Sequence, residues 1–386
     1  MKGFFRKIVN SGMKFKDLSA VGAANLIGNA ISSVFWLILA SLMDAEQYGE
    51  INYFIAIASV ASAISFLGAG NALMVFSAKE TKIQSPILII TSIASIVSAL
   101  VLFVIFQNIA ISLYVIGYVI FNHLLYESLG KKLYPTYAKV YVLQRVLLIG
   151  FALGLYFLIG PIGVIFGYAI SFFPFLIKTY KKFRISKTEF SLLRDKISFM
   201  RNSFGHSMLS ILSTYTDKLI VAPIFGFSFL GNYQLSFQIL MILTMLPGIA
   251  FSYILPQESS GRQHRKLWLI TILVVLGTVI LTIVLAPSVL PVLMPKYSPA
   301  IDLIQIMSVA AVPMTITLRY TSKFLGDEKS MIVLIGKAIY LTSHIVGIFS
   351  LGVVLGVQGV AISLVIASSL EASYFVIINR VLGKKS

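Results

Sequence analysis

The 386-residue chain has no cysteine, which excludes disulfides and thiolate metal sites. Charge is also scarce. Asp, Glu, Lys and Arg make up 12% of the residues, about half the share an ordinary soluble domain carries. Acids are the rarest of these, 14 against 31 bases. No glycine-rich phosphate loop occurs, so a nucleotide is not the expected driver. Histidine is limited to four residues. His123, His206 and His344 fall on separate candidate helices and His264 in a loop, at no metal-ligand spacing and without a nucleophile beside a base. No metal, no catalytic residue and no cofactor are expected.

Apolar side chains are abundant, at 58% of the residues, with a mean hydropathy of +0.92. A soluble fold would leave most of its surface apolar, so lipid is the expected solvent. The net charge of +17 would point to nucleic acid in a soluble protein. Here its placement argues otherwise, and no nucleic-acid partner is expected. The opening "MKGFFRKIVNSGMKFKDLS" is basic and mixed, and the apolar run after it is of full spanning length. That run reads as a retained membrane helix rather than a cleaved signal.

A spanning helix needs about 20 mostly apolar residues. Twelve candidates meet this, near 20–43, 51–77, 85–106, 109–127, 137–158, 161–178, 200–224, 231–256, 266–290, 301–323, 331–351 and 356–379. Breakers such as Gly160-Pro161, Pro287, Pro291, Pro295 and Gly356 punctuate them. With the N-terminus placed in the cytoplasm, 26 of the 31 bases fall at cytoplasmic ends, including the run Lys178–Arg201. The outer loops carry Lys296 alone, and the outer loop "DAEQYGE" carries only acids. The expectation is therefore an all-α integral membrane protein of twelve helices, with both termini cytoplasmic. Four bases remain inside helices, Arg145, Lys218, Arg319 and Lys337, beside the intramembrane acids Asp217 and Glu371.

The longest cytoplasmic loop, "KTYKKFRISKTEFSLLRDK", divides the chain into a six-helix bundle over 1–182, a linker over 183–199 and a second six-helix bundle over 200–386. Asn25, Gly28, Ser32 and Trp36 share one face of the first helix. Ser207, Ser210, Thr214 and Lys218 do so in the seventh, at a constant offset of 182 that also pairs Gly49 with Gly231. The sixth and twelfth helices open alike, with "GPIGVIFGYAIS" and "GVQGVAISLVIA". Because six is even, these are parallel repeats, an organisation typical of transporters with a central cavity between the halves.

Four stretches carry a family resemblance: "YGEINYFIAIASVASAISFLGAGNALMVFSA", "STYTDKLIVAPIFGFSFLGNYQLSFQI", "PKYSPAIDLIQIMSVAAVPMTITLRYTSKFLGDEKSMIVLIGKA" and "GVQGVAISLVIASSL". The chain resembles polysaccharide flippases of the Wzx (RfbX) type, within the superfamily that also holds multidrug exporters and lipid II flippases. The resemblance covers most of the chain. It implies a transporter of the cell (plasma or inner) membrane that moves a polyprenyl-(pyro)phosphate-linked oligosaccharide from the cytoplasmic to the outer leaflet by alternating access. It further implies membrane lipids and glycan polymerases or glycosyltransferases as partners, and a monomeric chain.

A charge at bilayer depth costs at least ~2.5–3.5 kcal/mol, and it survives where it meets a wet cavity or a partner. Arg145, Arg319 and Lys337 lie toward the cytoplasmic side and are the candidates for gripping the anionic head group, Arg by a bidentate fork. Polar stripes at helical spacing run through Gln305, Ser308, Thr315 and Arg319, through Lys337, Tyr340 and His344, and along the seventh helix to Asp217. They point to a shared hydrated cavity. Asn25, Asn29, Trp36, Asn52, Tyr340 and His344 are the candidate sugar contacts. Asp217, Lys218 and Glu371 are the candidate gate or interhelical tie. Asp217 and Lys218, as chain neighbours, point ~100° apart and need not pair. Competing roles stay open: Arg319 and Lys337 as bases snorkelling to the surface, and Arg145 as the structural partner of Glu371 or Glu127.

Two other functions compete. A cation-coupled multidrug exporter of the same superfamily would favour an acidic cavity, whereas these buried charges are net positive. A membrane glycosyl- or acyltransferase would need acids or histidines near the membrane surface, and the only exposed acid cluster, Asp44, Glu46 and Glu50, has no companions. The expectation is a non-enzyme.

Overall fold

The computed structural model describes the backbone of residues 2–81, 83–177, 179, 189–194, 196–258 and 264–383, and side chains from residue 20 onward, those of 256, 257 and 383 excepted. The basic N-terminal side chains up to Lys16, Lys82, Lys178, the linker residues 183–188 and 195, Arg262, Lys384 and Lys385 lie outside the described residues.

The described chain is helical, because in lipid each backbone N–H and C=O must find a partner within its own segment. The helices are α1 (Lys2–Leu42), α2 (Ala45–Ser65 bending into Ala69–Ala78), α3 (Gln84–Phe106), α4 (Ile109–Gly130) and α5 (Tyr134–Ile159). Then come α6 (Ile162–Ile170, extended by a 3-10 turn at Phe173–Phe175), α7 (Ile197–Phe225) and α8 (Phe227–Leu243 bending into Met245–Glu258). The last four are α9 (Arg265–Leu293), α10 (Ala300–Ser308 and Ala311–Gly326), α11 (Ser330–Gly347, closing in a π turn at Ile348–Gly352) and α12 (Val353–Gly383). Among the described residues, eight stretches are long and apolar enough to cross a membrane, and the bent pairs in α2 and α8 bring the number to ten. One of the eight, Ser330–Leu382, holds both α11 and α12 and is broken at Gly356, just inside the start of α12, and the shorter apolar α6 makes twelve. The protein is a multi-pass membrane protein with, among the described residues, these twelve membrane helices and a short helix at Ser191–Arg194.

Two expectations about breakers need correction. The acidic segment after α1 is not a loop. Asp44 accepts a hydrogen bond from the Gln47 N–H at 2.9 Å, so it caps a helix that starts at once with Ala45. Pro287 and Pro291 do not end α9, which runs through both to Leu293. Each proline gives up the bond to its i−4 carbonyl, and for Pro287 that carbonyl, Ile283, accepts instead from the Gln305 amide at 2.8 Å.

The chain packs into two compact units. One comprises Met1–Ser32 and Phe54–Ile211, the other Ser33–Tyr53 and Leu212–Ser386. The first has a core of Phe66, Leu73, Phe76, Ile87 and Val119. The second is built on Val221, Tyr233, Val275, Met307 and Leu364. Unit boundaries thus follow packing rather than chain order. Residues 33–53 join the second unit because Tyr48 stacks edge-on against both Trp36 and Tyr297, and the Tyr297 hydroxyl donates to the Asp44 carbonyl at 3.1 Å.

Repetition is visible in the backbone. Gly160 has φ 76 and ψ −158, and Gly356 has φ 60 and ψ −138. That region is open to glycine alone, and it occurs at the same point of each six-helix set. Three residues later, a Cβ on Gly163 would lie 2.3 Å from the Leu155 carbonyl, and one on Gly359 would lie 2.0 Å from that of Leu351. All these pairs are 196 apart. A reciprocal contact uses the other offset. A Cβ on Gly49 would meet the Phe227 carbonyl at 1.9 Å, and one on Gly231 would meet that of Ala45 at 1.8 Å. Positions 45 and 49 touch 227 and 231 crosswise at an offset of 182, which is the signature of a two-fold contact.

Candidate functional site

In the first unit, α1 and α5 present facing i, i+4 stripes. The Tyr137 hydroxyl donates to Asn25 Oδ1 at 2.8 Å, and the Tyr141 hydroxyl to Asn29 Oδ1 at 3.2 Å. The two tyrosine rings are stacked, 5.7 Å apart and 10° from parallel. Gly28 makes room for this, since a Cβ there would lie 2.4 Å from the Tyr141 ring. One turn further along α5 sits Arg145. Its Nη2 donates to the Tyr141 hydroxyl at 3.3 Å and its Nη1 to the Tyr168 hydroxyl of α6 at 3.2 Å. The guanidinium lies 5.0 Å from the Tyr141 ring centre. Its Nε is sealed from solvent and makes no hydrogen bond. Tyr168 is held edge-on by Tyr114 at 5.0 Å.

No carboxylate among the described residues lies within ion-pair distance of Arg145. The two acids that might have served are engaged elsewhere: Glu127 holds Lys131, and Glu371 holds Lys337. The structural-pair role for Arg145 is therefore removed. Among the described residues its cation is compensated by phenol dipoles and a ring face, which leaves donor capacity for an anion.

Bases within the membrane helices of the second unit are treated differently. Asp217 and Lys218 of α7 do pair, at 3.2 Å, with both side chains buried. Their Cα–Cβ bonds diverge as expected for neighbours, but the long lysine stem curls back, and its ammonium also donates to the Thr214 carbonyl at 3.0 Å. The Tyr233 hydroxyl of α8 donates to the other Asp217 oxygen at 2.9 Å, and the Phe237 ring lies 4.4 Å from the ammonium. The cluster ties α7 to α8.

Lys337 of α11 pairs with Glu371 of α12 at 3.1 Å. The carboxylate is 3% exposed and the lysine 42%, so the pair has a buried and an open end. On the same face Tyr340 stacks on His344 at 5.8 Å, and His344 Nδ1 is 3.1 Å from the Ser363 hydroxyl. Trp36 and Asn52 lie in this unit as well, with the Asn52 amide donating to the Tyr48 carbonyl at 2.9 Å.

Arg319 of α10 lines a cavity of about 310 Å³ with Arg265, Trp268, Lys323, Glu258 and Asp327, and Lys337 does not line it. The side-chain donors of the expected polar stripe leading to Arg319 are spent on backbone carbonyls. Ser308 and Thr315 bond back to the carbonyls of Gln305 and Ala311, and the Gln305 amide is spent on the Ile283 carbonyl of α9. Short hydroxyls on membrane helices satisfy themselves in this way.

The structure thus brings Arg145 together with Asn25 and Asn29, and Lys337 with Glu371, Tyr340 and His344. Arg145 belongs to a different unit from Arg319 and Lys337. Tyr137, Tyr141 and Tyr168 are candidate-site residues beyond those expected from the sequence, although the spacing 137, 141, 145 is a helical stripe.

No protein-family model matches the chain, and no curated protein matches it significantly. Solved structures do. A MATE transporter in complex with MaD5 aligns with a TM-score of 0.65 at 15% identity, covering 95% of each chain. An inward-facing multidrug resistance MATE family transporter of the MOP superfamily aligns at 0.61 and 16%, covering 92% of this chain and 94% of that one. An outward-facing conformation of such a transporter aligns at 0.60 and 14%, covering 95% of each. At these identities the shared property is the fold, and the chain has the fold of MATE transporters.

Proposed function

We propose that this protein is an alternating-access membrane transporter whose cargo is an amphiphilic anion, a polyprenyl-(pyro)phosphate-linked oligosaccharide carried from the cytoplasmic to the outer leaflet. The observation that supports this cargo is Arg145. A half-buried guanidinium with no carboxylate at ion-pair distance among the described residues, bonded to two tyrosine hydroxyls and backed by Asn25 and Asn29, matches phosphate beside sugar: charge for the first, amides and ring faces for the second. Lys337 is already neutralised by Glu371, so it contributes to the gate or tie more than to the clamp.

A second reading is a cation-coupled multidrug exporter. Structural neighbours that are multidrug resistance MATE family transporters favour it, and the buried carboxylates Asp217 and Glu371 are the groups it would use. The shared fold does not choose between cargoes; the charge around Arg145 favours the anion. Proteoliposomes test both. A fluorescent lipid-linked oligosaccharide should cross the bilayer faster with the protein than without it, and a cationic dye should not. Dye transport without oligosaccharide transport would replace the first reading by the second.

A further inference from the structure

The cavity around Arg319 has no part in the cargo reading above, and its chemistry is distinct. It opens where the ends of α8, α10 and α12 meet the start of α9, all within the second unit. Arg265, Arg319 and Lys323 supply three cations against Glu258 and Asp327. No carboxylate among the described residues lies within ion-pair distance of Arg319, whose guanidinium rests 5.4 Å from the ring of Tyr320. Lys323 is aimed by its hydrogen bond to Asn379 Oδ1 at 2.6 Å. Trp268 is 1% exposed, and its indole N–H, a donor with no acceptor role, has no partner. A buried donor left unmade is costly, so a site that strands one beside three cations is short of an acceptor.

We propose that this cavity binds a phosphate-bearing anion, the head group of an anionic membrane lipid or a soluble phosphate. Arg319, Lys323 and the Trp268 N–H act as its donors, with Arg265 adding charge. The volume of about 310 Å³ is at the lower end of ligand pockets and is ample for a phosphate with a glycerol attached. Glu258 does not oppose this strongly. It is hydrogen-bonded by the Ser322 hydroxyl, and burial pushes its carboxyl above the usual range, which eases its protonation beside a dianion.

The first unit offers an internal contrast. A cavity of about 420 Å³ occupies the matching place at the ends of α2, α3 and α4, lined by Glu80, Lys131 and Lys132. Lys131 there is paired with Glu127, and neither arginine nor tryptophan lines it. Only the second-unit cavity has the fixed donors.

The chain has two tryptophans, so a Trp36→Phe background leaves Trp268 as the sole indole reporter. In that background the full-length protein, in zwitterionic nanodiscs, is titrated with phosphatidylglycerol, with phosphatidylcholine and with inorganic pyrophosphate. Phosphatidylglycerol should shift the Trp268 emission saturably, and phosphatidylcholine should not. Pyrophosphate producing the same shift would mark a soluble phosphate as the ligand. Arg319→Gln and Lys323→Gln should each weaken the response about tenfold, the effect of one lost charge-assisted contact, while Lys132→Gln leaves it unchanged. Parent-like binding by both variants, or an equal loss in Lys132→Gln, would overturn the site. Arg145 is untouched in this experiment, so its outcome is independent of the cargo reading.

Discussion

Arg145 in the first unit and Lys218 in the second are both basic side chains inside membrane helices, and they are held by opposite means. Lys218 has a carboxylate at 3.2 Å, a backbone carbonyl at 3.0 Å and a ring face at 4.4 Å. Arg145 has two phenols at 3.2 and 3.3 Å, a ring face, and a stranded Nε. The first arrangement satisfies a charge for good. The second leaves it able to meet an anion that comes and goes. The contrast separates charges that serve the fold from charges available to a ligand, which their depth along the helices does not.

Removing one partner of the satisfied pair gives the largest effect. Asp217→Ala strands the Lys218 ammonium and should destabilise the protein by about 3–5 kcal/mol, read as a fall in the thermal midpoint of the detergent-solubilised chain. A midpoint equal to the parent's would place Lys218 among the available charges instead. Next comes the crossed glycine contact. Gly231→Ala puts a Cβ 1.8 Å from the Ala45 carbonyl, backbone against side chain, and should cost about 1–3 kcal/mol. Gly49→Ala should match it, because the contact is reciprocal, and a large difference between the two would break the two-fold account.

Lys337→Gln should cost less, about 1 kcal/mol, since the lysine end of that pair is open to solvent although Glu371 is buried. The smallest effect concerns Glu258. Its folded carboxyl titrates above the usual value, so the folded state holds the proton more tightly than the unfolded chain does. Stability should therefore decline as pH rises from the ordinary glutamate range through the raised one, and Glu258→Gln should flatten that slope. A steeper slope in the variant would reverse the sign argued here.

Much of this architecture was legible in the sequence. The twelve helices follow from apolar runs of spanning length, and the repeat from glycines at fixed offsets, because only glycine can occupy the Gly160 and Gly356 conformations or the Gly49–Gly231 crossing. Asp44 looks like part of a loop in the sequence because capping gives the start of a helix the composition of a polar connection. At the candidate site, the charged residues announce themselves by their cost in lipid, and their partners do not. Tyr141 is legible as an i, i+4 neighbour of Arg145, whereas Tyr168, on another helix, carries no signal until the structure sets it on Arg145. The pairing of Lys337 with Glu371 joins residues 34 apart in the chain across two helices, and no spacing rule reaches that far.

The central claim is that Arg145 is held ready for an anionic cargo rather than for the fold. Binding of a lipid-linked oligosaccharide to the parent and to Arg145→Gln, with the thermal midpoint recorded on the same samples, tests it most directly. Affinity should fall ten- to hundred-fold, as expected for one or two charge-assisted contacts at roughly 1.5–3 kcal/mol, while the midpoint holds or rises, because a half-buried, sparsely compensated cation is gone. Unchanged affinity, or a loss of stability as large as that of Asp217→Ala, would contradict the claim.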